Sequence, residues 1–384
     1  MFYQILVDRF RTGGGPGADP ARPVFCGGDL RGVTASLDYL RRLGVTALWL
    51  SPIQRTATYH GYHITDYDRV EPRFGGMAAL RALIRAAKPD LRIILDWVPN
   101  HVHRSHPMFQ EALGSKTSRY RDWFCFDGQG RYLCFLDFAE LPKLNLEHPE
   151  ARRYMIDRAL RWLDLGVDGF RLDHVLGPSL GFWRAFSAAV KRHQPSAYLV
   201  GEALFLGIRR DHLRTLGLPH KLRHLQAALR GESVADPVIR EYAGVFDGLL
   251  DFGFYEILRQ QVAEPLRPPS DADVQHLLDA HYRGLPAGLS LPSFLDNHDL
   301  DRFLFAARGD KARLMQAAEL QFRQDQPPIV YYGTEAGLSQ DRAIAGPDGD
   351  LEARRMMPWG HGDEELLRFY TELIRARKRR RAGP

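Results

Sequence analysis

Gly166-Val167-Asp168-Gly169-Phe170-Arg171-Leu172-Asp173-His174 reads as a short buried strand that carries a cation and a carboxylate to one of its ends. Val167 to Leu172 alternates apolar and polar residues. Side chains two apart in a strand share a face, so Arg171 and Asp173 point the same way. A fixed guanidinium beside a carboxylate keeps it ionised and aimed. Taken alone, the pair is better explained as a structural ion pair. The flanking sequence changes that balance.

Outward from this stretch the chain alternates strands and helices. Upstream, strands are expected at Phe2 to Val7, Val45 to Leu50 and Leu91 to Leu95. Leu30, Val33, Leu37 and Leu40 fall at helical spacing, with Gly44 as the stop, and Leu80, Leu83, Ile84 and Ala87 mark a second helix. A third covers Tyr154 to Leu165. Downstream come a helix near Phe182 to Val190, a strand at Tyr198 to Val200 and a basic helical stretch from Leu213 to Leu229. Strands at Phe246 to Leu250, Leu289 to Leu295 and Ile329 to Tyr332 follow, with helices at Val274 to Tyr282, Lys311 to Phe322 and through Leu366, Tyr370, Leu373 and Ile374. Eight such alternations predict an α/β fold, a (β/α)8 TIM barrel. Between 102 and 150 the period breaks into aromatics, histidines and turn residues without a clean helix. The expected organisation is therefore 1–101 as the first part of the barrel, 102–150 as a small irregular insertion after strand 3, and 151–384 as the remainder.

The bulk properties set limits. The chain has 384 residues, 45% hydrophobic and 26% charged, which suits a soluble protein with a large core. The net charge of +5 is spread over scattered arginines and gathers only at Arg375 to Arg381, so no nucleic-acid footprint is read from it. Gly13-Gly14-Gly15-Pro16-Gly17 lacks a phosphate-cradling pattern and reads as a surface loop. Cys26, Cys125 and Cys134 are an odd number without metal-binding spacing, and a Cys125–Cys134 bridge has only weak support. No apolar run spans a membrane and no signal peptide is visible. A cytoplasmic location is expected if the chain is complete, a secreted one if a leader has been removed.

Polar residues collect where the strands end: Asp96, Asn100 and His101 after the third, Arg171 and Asp173 on the fourth, Glu202 after the fifth, His298 and Asp299 after the seventh. In a barrel these converge on the C-terminal mouth, where barrel enzymes keep their chemistry. Each has a structural explanation of its own: a loop histidine, a helix-capping carboxylate, an N-cap aspartate. Together they make a poor core, because burying each unpaired would cost about 2–7 kcal/mol. A shared polar site is the cheaper arrangement. No serine is read as a nucleophile, and there is no zinc spacing. Paired carboxylates point to glycoside cleavage, one attacking the sugar carbon and the other donating a proton to the leaving oxygen. Tyr62 and Trp97 are candidate sugar platforms, Trp97 being equally well read as core.

The motifs Asp96-Trp97-Val98-Pro99-Asn100-His101, Gly169-Phe170-Arg171-Leu172-Asp173, Gly201-Glu202 and Phe294-Leu295-Asp296-Asn297-His298-Asp299 resemble those of the α-amylase family of glycoside hydrolases (family 13), in the family's order. Gly61-Tyr62-His63-Ile64-Thr65-Asp66-Tyr67, Leu141-Pro142-Lys143-Leu144-Asn145 and Tyr332-Gly333-Thr334-Glu335 add to the match. The resemblance covers essentially the whole chain. It implies Asp173 as nucleophile, Glu202 as general acid/base and Asp299 as transition-state stabiliser. It further implies that His101 and His298 bind hydroxyls, that Arg171 positions Asp173 and that Tyr62 stacks on the sugar beside the cut. Lys143, with three donors on a flexible stem, is a candidate substrate contact or else a solvated lysine. The Lys-Leu-Asn version resembles the maltogenic amylase, neopullulanase and cyclomaltodextrinase group.

Departures from the family pattern shape the remaining expectations. No N-terminal β domain and no C-terminal β-sandwich is read, so an open cleft is expected. His174-Val175-Leu176-Gly177 replaces a motif with a Lys-His pair, and Glu202 is followed by Ala203-Leu204 rather than a bulky aromatic. Asn100 could donate an oxygen to the family's calcium, but Gly177 stands where a typical member has the His whose carbonyl is a ligand. No cofactor or metal is therefore expected to be required, calcium included. The expected activity is retaining hydrolysis of α-1,4-glucosidic bonds in starch, maltooligosaccharides and cyclodextrins, releasing mainly maltose. A transglycosylase or α-glucosidase on the same scaffold is the alternative, and a non-catalytic sugar-binding protein a third reading. The partner is an α-glucan, with no nucleic acid and no membrane, and the chain a monomer or weak oligomer.

Overall fold

The computed structural model describes residues 1–14, 19–204, 235–265, 270–346 and 348–382. The expected basic helical stretch from Leu213 to Leu229 lies outside them. Seven short parallel strands form one curled sheet: β1 (Phe2–Ile5), β2 (Ala47–Leu50), β5 (Arg92–Trp97), β6 (Gly169–Leu172), β7 (Tyr198–Gly201), β8 (Gly248–Leu249) and β9 (Ile329–Tyr331). Their order is β8-β7-β6-β5-β2-β1-β9. A separate antiparallel pair, β3 (Gln54–Thr56) and β4 (Ile64–Val70), stands beside the sheet.

The gap between β8 and β9 is bridged by the segment in which a strand was expected, Leu289 to Leu295. It is not a regular strand. Leu249 N–H donates to the Ser290 carbonyl (3.0 Å), Asp251 N–H to that of Pro292 (3.0 Å), and Ile329 N–H to that of Ser293 (2.8 Å). Pro292 has no N–H to give, so a continuous ladder cannot form there and the contacts remain isolated bridges. With this eighth position the sheet has the make-up of a (β/α)8 barrel.

Strand alternation divides the core in two. Leu48, Leu50 and Leu199 face the layer between strands and helices, while Trp49, Val200, Leu250, Phe294 and Ile329 pack inside the barrel. Trp97, Trp162 and Trp183 are fully buried in the outer layer, so Trp97 is core and not a sugar platform. Each large apolar side chain removed from water this way contributes about 1.5–3 kcal/mol. The helices expected from periodicity are present as Gly76–Ala87, Pro149–Leu165, Leu180–His193, Asp271–Tyr282, Lys311–Arg323 and Glu364–Ala382.

Two local expectations are corrected. The helix read from Leu30 to Gly44 is two, Leu30–Ala35 and Leu37–Leu43, parted at Ser36, whose hydroxyl donates to the Gly32 carbonyl (2.8 Å). The stretch after β5 contains a helix after all, Pro107–Gly114, opened by Pro107 at its first turn and capped by His106. Cys125 and Cys134 form no disulfide with each other, the first being exposed and the second partly buried, and Cys26 is buried. Among the described residues no helix is long and apolar enough to cross a membrane.

Candidate active site

Register brings the polar residues together at the C-terminal mouth. Asp96 on β5 lies directly across from Arg171 on β6, and Leu172 across from Gly201 on β7. The next residues, Asp173 and Glu202, therefore leave their strands at the same level. Gly169 permits this pairing: its φ is +150°, and a Cβ there would stand 2.0 Å from the Tyr198 carbonyl oxygen.

Arg171 is the centre of the site and has no solvent exposure. Its Nη1 donates to Asp96 Oδ1 (2.8 Å) and to Asp173 Oδ1 (2.8 Å), and its Nη2 is paired with Glu202 Oε1. Asp96 also accepts from Trp49 Nε1 (3.1 Å) and the Tyr62 hydroxyl (2.8 Å). Glu202 Oε2 accepts the His174 backbone N–H (3.1 Å). His174 holds a left-handed conformation (φ +43°), a strain of order 1–3 kcal/mol that neighbouring contacts must offset.

Three buried carboxylates around one guanidinium cannot all carry a charge. Burial pushes each of them up, and Arg171 pulls each back. They titrate as a group, each held ionised to the extent that donors surround it. Asp96, with four N–H or O–H contacts from three side chains, stays ionised, and Asp173 keeps a direct Arg171 hydrogen bond. Burial raises the Glu202 pKa to about 7 against the pull of Arg171. A carboxyl group that holds its proton near neutrality among others held by a guanidinium can supply the acid and the carboxylate that glycoside cleavage needs.

The far side of the site is built on His298 and Asp299. Gln4 Nε2 donates to His298 Nδ1 (2.8 Å), which fixes Nε2–H toward Asp299 Oδ2 (3.1 Å). Burial lowers the His298 pKa to about 3, so the ring is neutral. Tyr62 stacks parallel on it at 5.1 Å. Asp299 also accepts from Arg354 Nη2 (2.8 Å). Burial alone would raise its pKa, but His298 and Arg354 hold it below the usual range. His101 is buried, its ring stacked on Phe135 at 4.7 Å, and its Nε2 has no protein partner. Tyr62, His101, His298, Asp299 and Arg354 line a cleft of about 450 Å³, with Asp173 and Glu202.

Lys143 lines the same cleft, yet its ammonium donates to the Gly177 carbonyl (2.9 Å). It joins the segment before Pro149–Leu165 to the loop after β6. Gly177 is needed here, because a Cβ would lie 2.2 Å from Asn100 Oδ1, which is buried without a hydrogen-bond partner. Among the described residues no group of three or more His, Cys, Asp or Glu is placed to hold a metal ion.

Residues 4–365 match the family model described as the α-amylase catalytic domain. The chain belongs to the α-amylase family.

As a member of that family it is similar to Alpha-amylase 2 of Dictyoglomus thermophilum, with 35% identity over 98% of this chain and 63% of the relative. It is 32% identical to a cyclomaltodextrinase of a Bacillus species, over 98% of this chain and 65% of that protein. Among solved structures it is similar to the ligand-free cyclic alpha-maltosyl-(1-->6)-maltose hydrolase of Arthrobacter globiformis. There the TM-score is 0.80 at 28% identity, over 97% of this chain and 81% of that one. The chain spans less than two thirds of the length of the two curated relatives.

Of the residues named from sequence, Asp173, Glu202, Asp299, Tyr62, His101, His298 and Lys143 line one cleft, and the buried Arg171 is paired with Asp173 and Glu202. Others escaped notice. Arg354, 5% exposed, ties Asp299 to Asp350 and the Tyr59 hydroxyl, and its Nε donates to the His298 carbonyl (2.8 Å). Its only sequence signal was an arginine pair after an acidic turn. Gln4 looked like an ordinary strand residue, though it sets the tautomer of His298.

Proposed function

We propose that this chain is a retaining glycoside hydrolase of α-1,4 glucans, with starch, maltooligosaccharides and cyclodextrins as substrates and maltose as the main product. The observation that carries the mechanism is that one guanidinium touches both Asp173 and Glu202. Two carboxyl groups held on adjacent nitrogens of one fork suit the separation of about 5–5.5 Å used in double displacement, and not the wider gap of about 6.5–9.5 Å that admits a water between them. Asp173 attacks the anomeric carbon while Glu202 protonates the leaving oxygen. Glu202 then deprotonates the water that releases the sugar. Asp299, His298 and His101 hold sugar hydroxyls, Tyr62 offers its ring, and Arg171 positions the pair. The α-glucan substrate class is supported by the kinship with an alpha-amylase and a cyclomaltodextrinase.

The same reading takes residues 102–150 as an inserted unit walling one side of the cleft. It gives Lys143 a structural role at that wall in addition to facing substrate. Calcium at the family position does not fit these residues. The Gly177 carbonyl accepts the Lys143 ammonium, so a divalent ion there would meet a positive charge already in place. No step of the reaction is assigned to a metal.

Thin-layer separation of the products from starch, pullulan and cyclodextrin tests the substrate assignment, with initial rates on maltotetraose and isomaltose alongside. Maltose should dominate, and isomaltose should be cut slowly if at all. Equal rates on isomaltose and maltotetraose would overturn the α-1,4 reading, and glucose alone from every substrate would turn it to an α-glucosidase.

A further inference from the structure

One polar side chain lies behind the cleft lining and is not part of it. On β1, Tyr3 and Ile5 face the outer layer, while Phe2 packs with the apolar residues inside the barrel. Gln4 shares the inward face with Phe2. It is 4% exposed, in a layer otherwise built from residues such as Trp49, Val200, Phe294 and Ile329. Its backbone is fixed on both sides, level with Trp49 on β2 and Tyr331 on β9. An amide in such a place is unfavourable unless its polar atoms are paired. One end is paired, Nε2 lying 2.8 Å from His298 Nδ1. Among the described residues the other end, Oε1, is buried without a hydrogen-bond partner.

The surroundings of His298 decide how the pair is arranged. Its Nε2 lies 3.1 Å from Asp299 Oδ2, and Asp299, which also accepts from Arg354 Nη2, is held ionised. An ionised carboxylate only accepts, so the ring proton belongs on Nε2. Nδ1 is then a lone pair that needs a donor. The other groups around the ring do not supply one. Tyr62 covers a face, Trp49 stands edge-on at 6.3 Å, and Arg354 Nε donates to the backbone carbonyl of His298. A lysine at position 4 would bury a further charge, and a glutamate would draw the proton to Nδ1. The amide is a donor without charge. Its unpartnered Oε1 is the penalty of that arrangement.

We propose that Gln4 is a positioning residue for the reaction, acting on His298 and not on the sugar. It holds the ring neutral with its proton on Nε2. His298 then presents a donor to the cleft, while Asp299 keeps its full negative charge for the transition state. This rests on the hydrolase reading above. With the proton on Nδ1 instead, the ring would turn a lone pair toward the Asp299 carboxylate and offer a sugar hydroxyl no donor. The relation is that of a buried group that keeps a working histidine in one tautomer.

Two substitutions of similar shape and one spectrum test this. Gln4→Met keeps the bulk and removes the donor, so kcat on maltotetraose should fall about tenfold, a factor worth about 1.4 kcal/mol. Gln4→Glu replaces the donor by an acceptor and should lower kcat about 100-fold, short of the roughly 10⁴-fold that a wrong tautomer imposes on a general base. KM should move far less than kcat in both, because Gln4 does not line the cleft. Long-range proton–nitrogen correlation on histidine-labelled protein reads the ring itself, its signals assigned by their loss in His298→Asn. The wild-type chain should carry the proton on Nε2, and Gln4→Glu should have Nδ1 protonated. A wild-type proton on Nδ1 would overturn the proposal, as would an unchanged kcat in both variants, even with a lowered melting temperature. No cleavage of maltotetraose by the wild-type chain would overturn the hydrolase reading and the role in the reaction with it, while the spectrum would still report the tautomer.

Discussion

In the proposed mechanism Glu202 is the residue on which the chemistry turns. Its pKa near 7 comes from burial that Arg171 only partly offsets. The acid works protonated, so kcat/KM should fall as pH rises through about 7, when that proton is lost. Glu202→Gln should lower kcat on starch by about 10²- to 10⁴-fold and remove the inflection near 7 from the residual rate. A variant keeping more than about a tenth of the wild-type rate, a loss of only about 1.4 kcal/mol, would show that the acid is another group. The site residues at strand ends, Asp173, Glu202, His298 and Asp299, were legible because the barrel forces strand ends to one mouth. Arg354 and Gln4 were not, because their roles depend on contacts more than 50 and 290 residues away in sequence, with His298 and Asp299.

The elements explain why the site is rigid and where reading them went wrong. β6 pairs with β5 and β7 on either side, and Gly169 is the point where β7 comes closest. Gly169→Ala should therefore cost at least the ~1–3 kcal/mol typical of overpacking, read as a lower melting temperature and a loss of soluble protein. An unchanged melting temperature would mean that β7 can move away. The strand expected at Leu289 to Leu295 had the right apolar pattern, but Pro292 decides against a ladder, and apolar pattern alone does not count donors. The wall after β5 hid its helix because its period was broken by aromatics serving the cleft. Lys143 fastens that wall to the loop after β6 through Gly177. Lys143→Met should cost about 1.5–3 kcal/mol, the range for a charged hydrogen bond. A chelator should leave both activity and melting temperature of the wild-type chain where they were. Complete loss of activity in chelator, restored by calcium alone, would show that a cation and not the ammonium holds this junction.

At the scale of the whole molecule, eight strand positions around one axis bring residues as far apart in sequence as Gln4 and Arg354 to a single cleft. The barrel was legible because strand–helix alternation is a property of the entire chain and survives errors in any one element. That same closure fixes the distance between β6 and β7, and so between the two carboxylates that follow them. Adjacent parallel strands stand about 4.8 Å apart, and Asp173 and Glu202 leave them at matching register. In the proposed mechanism such a spacing suits direct attack by Asp173. Attack inverts the anomeric centre once and hydrolysis of the glycosyl-enzyme inverts it again, so the first-formed sugar should be the α anomer. Proton NMR of a maltotetraose digest, recorded before mutarotation equilibrates the product, distinguishes the two outcomes by their anomeric couplings. A β anomer appearing first would mean that water attacks directly, and the covalent role of Asp173 would have to be given up even with the barrel and the cleft unchanged.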